Sequence, residues 1–236
     1  IVVFVLVNPV LFYFAFKYRG LKGTKATYYE HNNKLELIWT TVPAVVLAVL
    51  IIYGLTTWSN ITNPDNTDNE PMIVELYAQQ FNWTARYSGE DNTLGYSNYK
   101  LVKGPNQLGV DLTDEFAQDD VVIKEVHLAV NKPVLLKMRS RDVIHSAFLP
   151  HFRVKMDAVP GMPTYFVFTP TVTTAKYREN LSAIGKDGEP LYPEWYELSD
   201  PDDAESLPRW KAFNYELACA ELCGNGHYSM RRIVEI

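Results

Sequence analysis

The chain has 236 residues, of which 47% are hydrophobic and 21% charged. That is enough for one sizeable domain with something added to it, and too apolar for a chain that is disordered throughout. A net charge of −6 argues against a general nucleic-acid binder, and two cysteines exclude a disulfide-stapled miniature scaffold. The mean hydropathy of −0.14 conceals a sharp division along the chain.

Residues 1–16 are apolar apart from Asn8 and Pro9, and residues 38–58 form a second uncharged run. As a helix the second run spans about 31 Å, the thickness of a bilayer core. The two runs predict a hairpin of transmembrane helices over 1–58, with spans at about 1–18 and 38–58. The first run is short for a span, and the start at Ile1 rather than Met predicts that an N-terminal piece was removed or is missing. Between the runs, Lys17, Arg19, Lys22, Lys25 and Lys34 outweigh Glu30 and Glu36. With +3 in that loop and −6 overall, residues 38–236 carry −9. Positive loops stay cytoplasmic, so the acidic C-terminal part is expected on the outer face.

Residues 59–71 read as a polar linker rich in Asn and Pro. Beyond it lie short β-type runs at 72–78, 81–87, 121–130, 134–139, 143–149, 164–169 and 231–236. Many short strands separated by turn residues predict an all-β sandwich or barrel over 72–236. Residues 175–211 break this rhythm with Pro, Tyr and acidic residues, and a stretch so long without regular structure is usually functional or disordered.

Both cysteines fall in Cys219-Ala-Glu-Leu-Cys223-Gly-Asn-Gly-His227-Tyr-Ser-Met230. Two thiols, an imidazole and a thioether form a soft donor set that favours copper. A β-sandwich offering Cys, His and Met from one loop resembles a cupredoxin, whose site also takes a His from a distant strand; His145 is the best placed. Three other readings stay open here: a Cys219–Cys223 disulfide, a zinc site with both histidines, or inert cysteines. Two thiolates on one loop can also bridge two coppers, which suits electron transfer and leaves no position for a substrate.

Four segments extend the likeness: the cysteine motif itself, Asp142-Val-Ile-His145-Ser, Lys155-Met-Asp157-Ala-Val-Pro160-Gly161, and Glu36-Leu-Ile-Trp39-Thr-Thr-Val-Pro43. Together the chain resembles subunit II of the haem–copper cytochrome c oxidases, from the helix hairpin through most of the cupredoxin-like domain. The resemblance implies a binuclear copper centre, CuA, held by His145, Cys219, Cys223, His227 and Met230, with Glu221 ligating through its backbone carbonyl. It implies that the Glu221 carboxylate helps bind magnesium at the face toward subunit I, and that Glu36 lies at the mouth of a proton channel. Asp142 and Asp157 become residues that support the ligands from behind. Where the family has Trp-Tyr-Trp, with electrons entering at the first Trp, this chain has Phe81-Asn82-Trp83, so Phe81 and Trp83 share that expectation. Met162 stands where the family often has Arg, and that Arg's role does not carry over. His31, His127 and His151 match no motif and read as surface or core residues.

The implied function is that of the electron-accepting subunit of a proton-pumping terminal oxidase in the bacterial inner membrane. Its partners would be subunit I, subunit III, membrane lipid, and a c-type cytochrome or a cytochrome-bearing quinol-oxidising complex as donor. The chain ends shortly after Met230, so the donor is expected to be a separate protein. The acidic surface and the 175–211 insertion are expected to meet a basic donor or another subunit. The alternative is a membrane-anchored cupredoxin-fold binding module without copper, resembling a quinol oxidase subunit or stapled by a disulfide. Nitrous oxide reductase also carries CuA, but it adds a propeller for which this chain has no room.

Overall fold

A computed structural model describes residues 1–23, 25, 27–63, 65 and 70–236. The chain divides into two compact units, 1–51 and 52–236.

The first apolar run forms helix α1 (Val2–Lys17) and the second forms α2 (Asn33–Thr62). Asn32 starts α2: its Oδ1 accepts from the Leu35 N–H at 3.0 Å, satisfying one of the amides that a helix start leaves open. No residue of either helix is buried. Among the described residues α2 is the one helix long and apolar enough to cross a membrane, while α1 is an apolar helix of 16 residues. Continuous exposed apolar surface of this extent is stable only against lipid or protein. Helix α2 continues through Thr62, four residues into the expected linker, where the Thr62 hydroxyl donates to the Trp58 carbonyl at 2.8 Å. Part of that linker (64 and 66–69) lies outside the described residues.

The second unit is a sandwich of two five-stranded sheets. Its strands are β1 (Met72–Gln79), β2 (Asn82–Tyr87), β3 (Val121–Ile123), β4 (Val126–His127), β5 (Val134–Ser140), β6 (His145–Leu149), β7 (Val154–Ala158), β8 (Thr164–Phe168), β9 (Tyr215–Cys219) and β10 (Arg231–Glu235). One sheet runs β3-β2-β1-β5-β8 and the other β4-β10-β9-β6-β7. The single strand expected over 121–130 is a correction. Lys124 and Glu125 interrupt it, and the chain crosses there from one sheet to the other, β3 pairing with β2 and β4 with β10. Strands β7 and β9 were not foreseen.

Inward residues of both sheets make the core: Val74, Leu76 and Ala78 of β1, Leu136 and Met138 of β5, Ala147 and Leu149 of β6, Leu217 of β9 and Val234 of β10. Burying each large aliphatic side chain contributes about 1.5–3 kcal/mol. β1 is buried on both faces. Its outward Tyr77 packs with Leu108 and Val110, from the excursion between β2 and β3. The same cover buries charges: Arg86 bonds Asp120 and Glu75, and Arg139 bonds Glu75 at 3.0 Å.

The segment 175–211 is packed onto the domain rather than loose. It opens with helix α3 (Thr174–Leu181) and closes with α4 (Arg209–Ala212). Trp195 and Trp210 pack against the core, and the Tyr196 hydroxyl donates to the Ser182 carbonyl at 2.7 Å.

Candidate metal centre

The cysteine motif is the loop that joins β9 to β10. The Cys219 N–H donates to the Met230 carbonyl at 3.1 Å, closing the loop at its base. His145 is the first residue of β6, the neighbour of β9, with Ala147 opposite Cys219. Pairing of these two strands therefore delivers His145 to a loop 74 residues further along the chain.

The donor atoms form a continuous chain of contacts. His145 Nδ1 lies 3.9 Å from Cys219 Sγ, which lies 3.8 Å from Cys223 Sγ. Cys223 Sγ in turn lies 3.7 Å from His227 Nδ1 and 3.9 Å from Met230 Sδ. The Glu221 carbonyl is 3.2 Å from Cys219 Sγ. His145, Cys223 and Met230 are buried, Cys219 and His227 half-buried, and the Glu221 side chain points to solvent. Both cysteines are free thiols, with sulfurs far beyond the ~2.05 Å of a disulfide.

Burial, then the adjoining Cys219 thiol, pushes the Cys223 thiol up to about 11. Without a cation the Cys223 thiol thus keeps its proton at neutral pH, and a metal is what would make its thiolate tolerable in this buried place. The donor set of two sulfurs, two imidazoles and a thioether fits copper, because zinc's closed tetrahedral sites seldom use thioether and carboxylate-loving cations need oxygen. A cavity of about 530 Å³, lined by Tyr77, Arg139, Arg141 and Met162 among others, includes none of the five donors.

Supporting contacts fix His145. Asp142 Oδ1 lies 2.8 Å from His145 Nε2. Burial raises the Asp142 carboxyl, but bonds from the Gln80 N–H, His145 and the Val143 N–H outweigh it and leave the group below its ordinary value. An ionised carboxylate only accepts, so Nε2 is the donor in this contact and Nδ1 is the ring nitrogen left facing Cys219. Trp83 is 1% exposed and meets the His145 ring edge-on at 6.1 Å. Asp157 acts one residue away: it accepts from the Ser146 hydroxyl at 2.6 Å, and that bond, with Lys155, holds its carboxyl low against the opposing effect of burial. Phe81 is half-buried and lies against Gly224 and Gly226; a Cβ on Gly226 would fall 2.5 Å from its ring.

The structure thus brings together His145, Cys219, Cys223, His227, Met230 and the Glu221 carbonyl, with Asp142, Trp83 and Phe81 around them. Glu36 belongs to the helical unit, on the first turn of α2. Sequence reasoning missed Gln80, whose Nε2 donates to the Cys223 carbonyl 143 residues away. No local pattern marks such a partner. His151, read as a surface or core residue, sits edge-on to Phe213 at 5.0 Å and Tyr215 at 5.5 Å; burial lowers its pKa, with Glu216 opposing.

Comparison with known proteins agrees with this geometry. Residues 1–57 match the family model described as cytochrome c oxidase subunit II, transmembrane domain, and residues 72–181 the model described as cytochrome c oxidase subunit II, periplasmic domain. The alternative cytochrome c oxidase subunit 2 of Bradyrhizobium diazoefficiens is 32% identical over 232 residues, covering 97% of this chain and 69% of the relative. Cytochrome c oxidase subunit 2 of Synechocystis is 25% identical over 247 residues, covering 98% of this chain and 63% of the relative. The chain spans roughly two thirds of the length of these relatives. Among solved structures, the periplasmic domain of subunit II of cytochrome oxidase of Bradyrhizobium japonicum matches with a TM-score of 0.38 and 22% identity, over 70% of this chain and 82% of that one.

Proposed function

The chain belongs to the cytochrome c oxidase subunit II family, and from that premise we propose that it is the electron-accepting subunit of a proton-pumping terminal oxidase. It receives electrons from a c-type cytochrome, or from a cytochrome-bearing quinol-oxidising complex, and delivers them to haem in subunit I, where oxygen is reduced to water. The observation that carries this reading is the convergence of five soft side-chain donors, each within 4 Å of the next.

Cys219, Cys223, His145, His227, Met230 and the Glu221 carbonyl would together hold two coppers. When bound, such a pair supplies one-electron exchange with the charge change spread over two nuclei. The protein's own part is binding, orientation and exclusion of water. Asp142 sets the His145 tautomer, Trp83 braces the ring, and the buried Cys223 and Met230 keep that side of the centre dry. Phe81 is the half-exposed aromatic over the loop and Trp83 the buried one behind it, so electrons would enter across Phe81 toward His145. The exposed Glu221 carboxylate is free to join a magnesium site facing subunit I. Glu36 would mark the proton-channel mouth.

Helices α1 and α2 would form a transmembrane hairpin over 1–58, followed by the linker 59–71 and the copper domain 72–236 with its insertion at 175–211. The apolar, unburied surfaces of both helices support this division. The hairpin would lie in a bacterial inner membrane with the domain on the outer face, beside subunits I and III and lipid.

The test uses the full chain in detergent, loaded with copper. Metal analysis should give two coppers per chain, and the EPR spectrum should carry the hyperfine pattern of one electron shared by two coppers. Cys219→Ser and Cys223→Ser should each abolish that pattern, because a hydroxyl is a poor bridging ligand. A zinc-filled site, or a mononuclear pattern in the unaltered chain, would overturn the reading.

A further inference from the structure

The turn from β1 to β2, with the first two residues of β2, covers residues 80–83 and directs its side chains to the donor loop, to its flank and to His145. Gln80 Nε2 donates to the Cys223 carbonyl, which among the described residues accepts no other bond. The Gln80 N–H donates to Asp142 Oδ2 at 2.7 Å, and the other oxygen of that carboxylate holds His145. Phe81 lies against Gly224 and Gly226. Asn82 accepts from Arg232, two residues past Met230. Trp83 meets the edge of His145.

We propose that this turn is a clasp that holds the two halves of the centre, His145 and the Cys219–Met230 loop, in metal-binding arrangement before any metal arrives, with Gln80 as the positioning residue that ties them. The proposal rests on the copper reading above. The reasoning is one of preorganisation. Contacts of 3.7–3.9 Å between sulfur and imidazole groups are too long to hold a loop firmly. Apart from the Cys219–Met230 bond at its base, backbone bonds within the loop join near neighbours, such as His227 to Gly224 and Met230 to His227. At its base, the Ala220 N–H reaches the Ser146 carbonyl at 3.0 Å. The stretch around Cys223 lies beyond that bond, and Gln80 is what reaches it from outside. Each ligand ordered in advance is one that the metal need not order, which tightens binding.

The loop is shaped to receive the clasp. Gly224 has φ 136°, a conformation that side chains rarely adopt. A Cβ there would stand 2.8 Å from Gln80 Nε2, and one on Gly226 would strike Phe81. Glycine at both positions is what lets the turn close on the loop.

The test compares the full chain with Gln80→Glu, which keeps the shape but removes the donor hydrogens and sets an oxygen against the Cys223 carbonyl. Phe81→Leu serves as the second variant, should the first fold poorly. In metal-free protein, hydrogen exchange at amides 220–230 should become faster in the variants, while the unfolding midpoint stays that of the unaltered chain. Copper should bind about 10–100-fold more weakly, the usual effect of losing a contact behind a ligand, and the EPR hyperfine pattern should change. Unaltered exchange, affinity and spectrum in both variants would overturn the clasp. Failure of the unaltered chain to take up two coppers would instead sink the copper reading, and the metal-free exchange measurement would still decide on the turn.

Discussion

Arg86 is the residue whose removal from the sandwich has the most calculable cost. Its side chain is 0% exposed. Nε and Nη2 both reach Asp120 Oδ2, at 2.9 and 2.6 Å, and Nη1 reaches Glu75 Oε2 at 3.3 Å. Arg86→Met fills much of the same space with apolar atoms but leaves two buried carboxylates behind. Glu75 keeps Arg139 at 3.0 Å and Lys137 at 3.9 Å. Asp120 keeps only the Gly95 N–H at 3.1 Å, and its Oδ1 is already buried without a partner. The cost is therefore set by Asp120, at the ~3–5 kcal/mol found when one partner of a buried pair is removed. For a domain of this size that lowers the melting temperature by about 6–20 °C. Circular dichroism melts of the purified chain at pH 7 read the loss directly. Adding Asp120→Asn removes the stranded charge, so the double variant should recover at least ~1 kcal/mol relative to simple addition of the two effects. A loss under ~1 kcal/mol for Arg86→Met, or strict additivity, would mean that the pair behaves as a solvated surface bridge and that the 88–120 excursion does not seal the outer face of β1.

Asp142→Ala should leave His145 Nε2 without its acceptor and weaken copper binding about 10–100-fold, read by competition with a chelator; unchanged affinity would remove Asp142 from the centre. His151 should titrate below ~6.5, because its aromatic surroundings disfavour the charged ring. Its depressed folded-state value means that the stability it supports is complete above the unfolded value near 6.5 and is lost as pH falls through the folded one. Melts of His151→Phe against the unaltered chain between pH 7.5 and 5 should diverge in that sense, and parallel curves would refute it. Neutralising Asp200, Asp202, Asp203 and Glu205 together, all exposed on the insertion, should slow association with a basic cytochrome several-fold at low salt and leave it unchanged at high salt. Identical salt dependence would place the donor's contact elsewhere.

Much of this protein could be read along the chain, where the deciding interactions are local. The helices follow from two apolar runs, the second of them long enough to cross a bilayer, and most strands from alternation. The soft ligand set was visible because Cys219, Cys223, His227 and Met230 share one loop, so their spacing is itself the signal. What tertiary structure decided depends on which distant edges meet. The run 121–130 looks like one strand, yet its two ends belong to different sheets, and no period in ten residues encodes that crossing. Short β7 and β9 gain their strand geometry from pairing with β6 rather than from their own composition. Arg86 and Glu75 look like surface charges until the excursion folds over them. Gln80 looks like a turn residue until β1 and β2 carry it to Cys223. Hydrophobic periodicity records only which side of an element faces inward, whereas a partner more than a hundred residues away is specified by sheet order and register, and these exist only once the whole sandwich has closed.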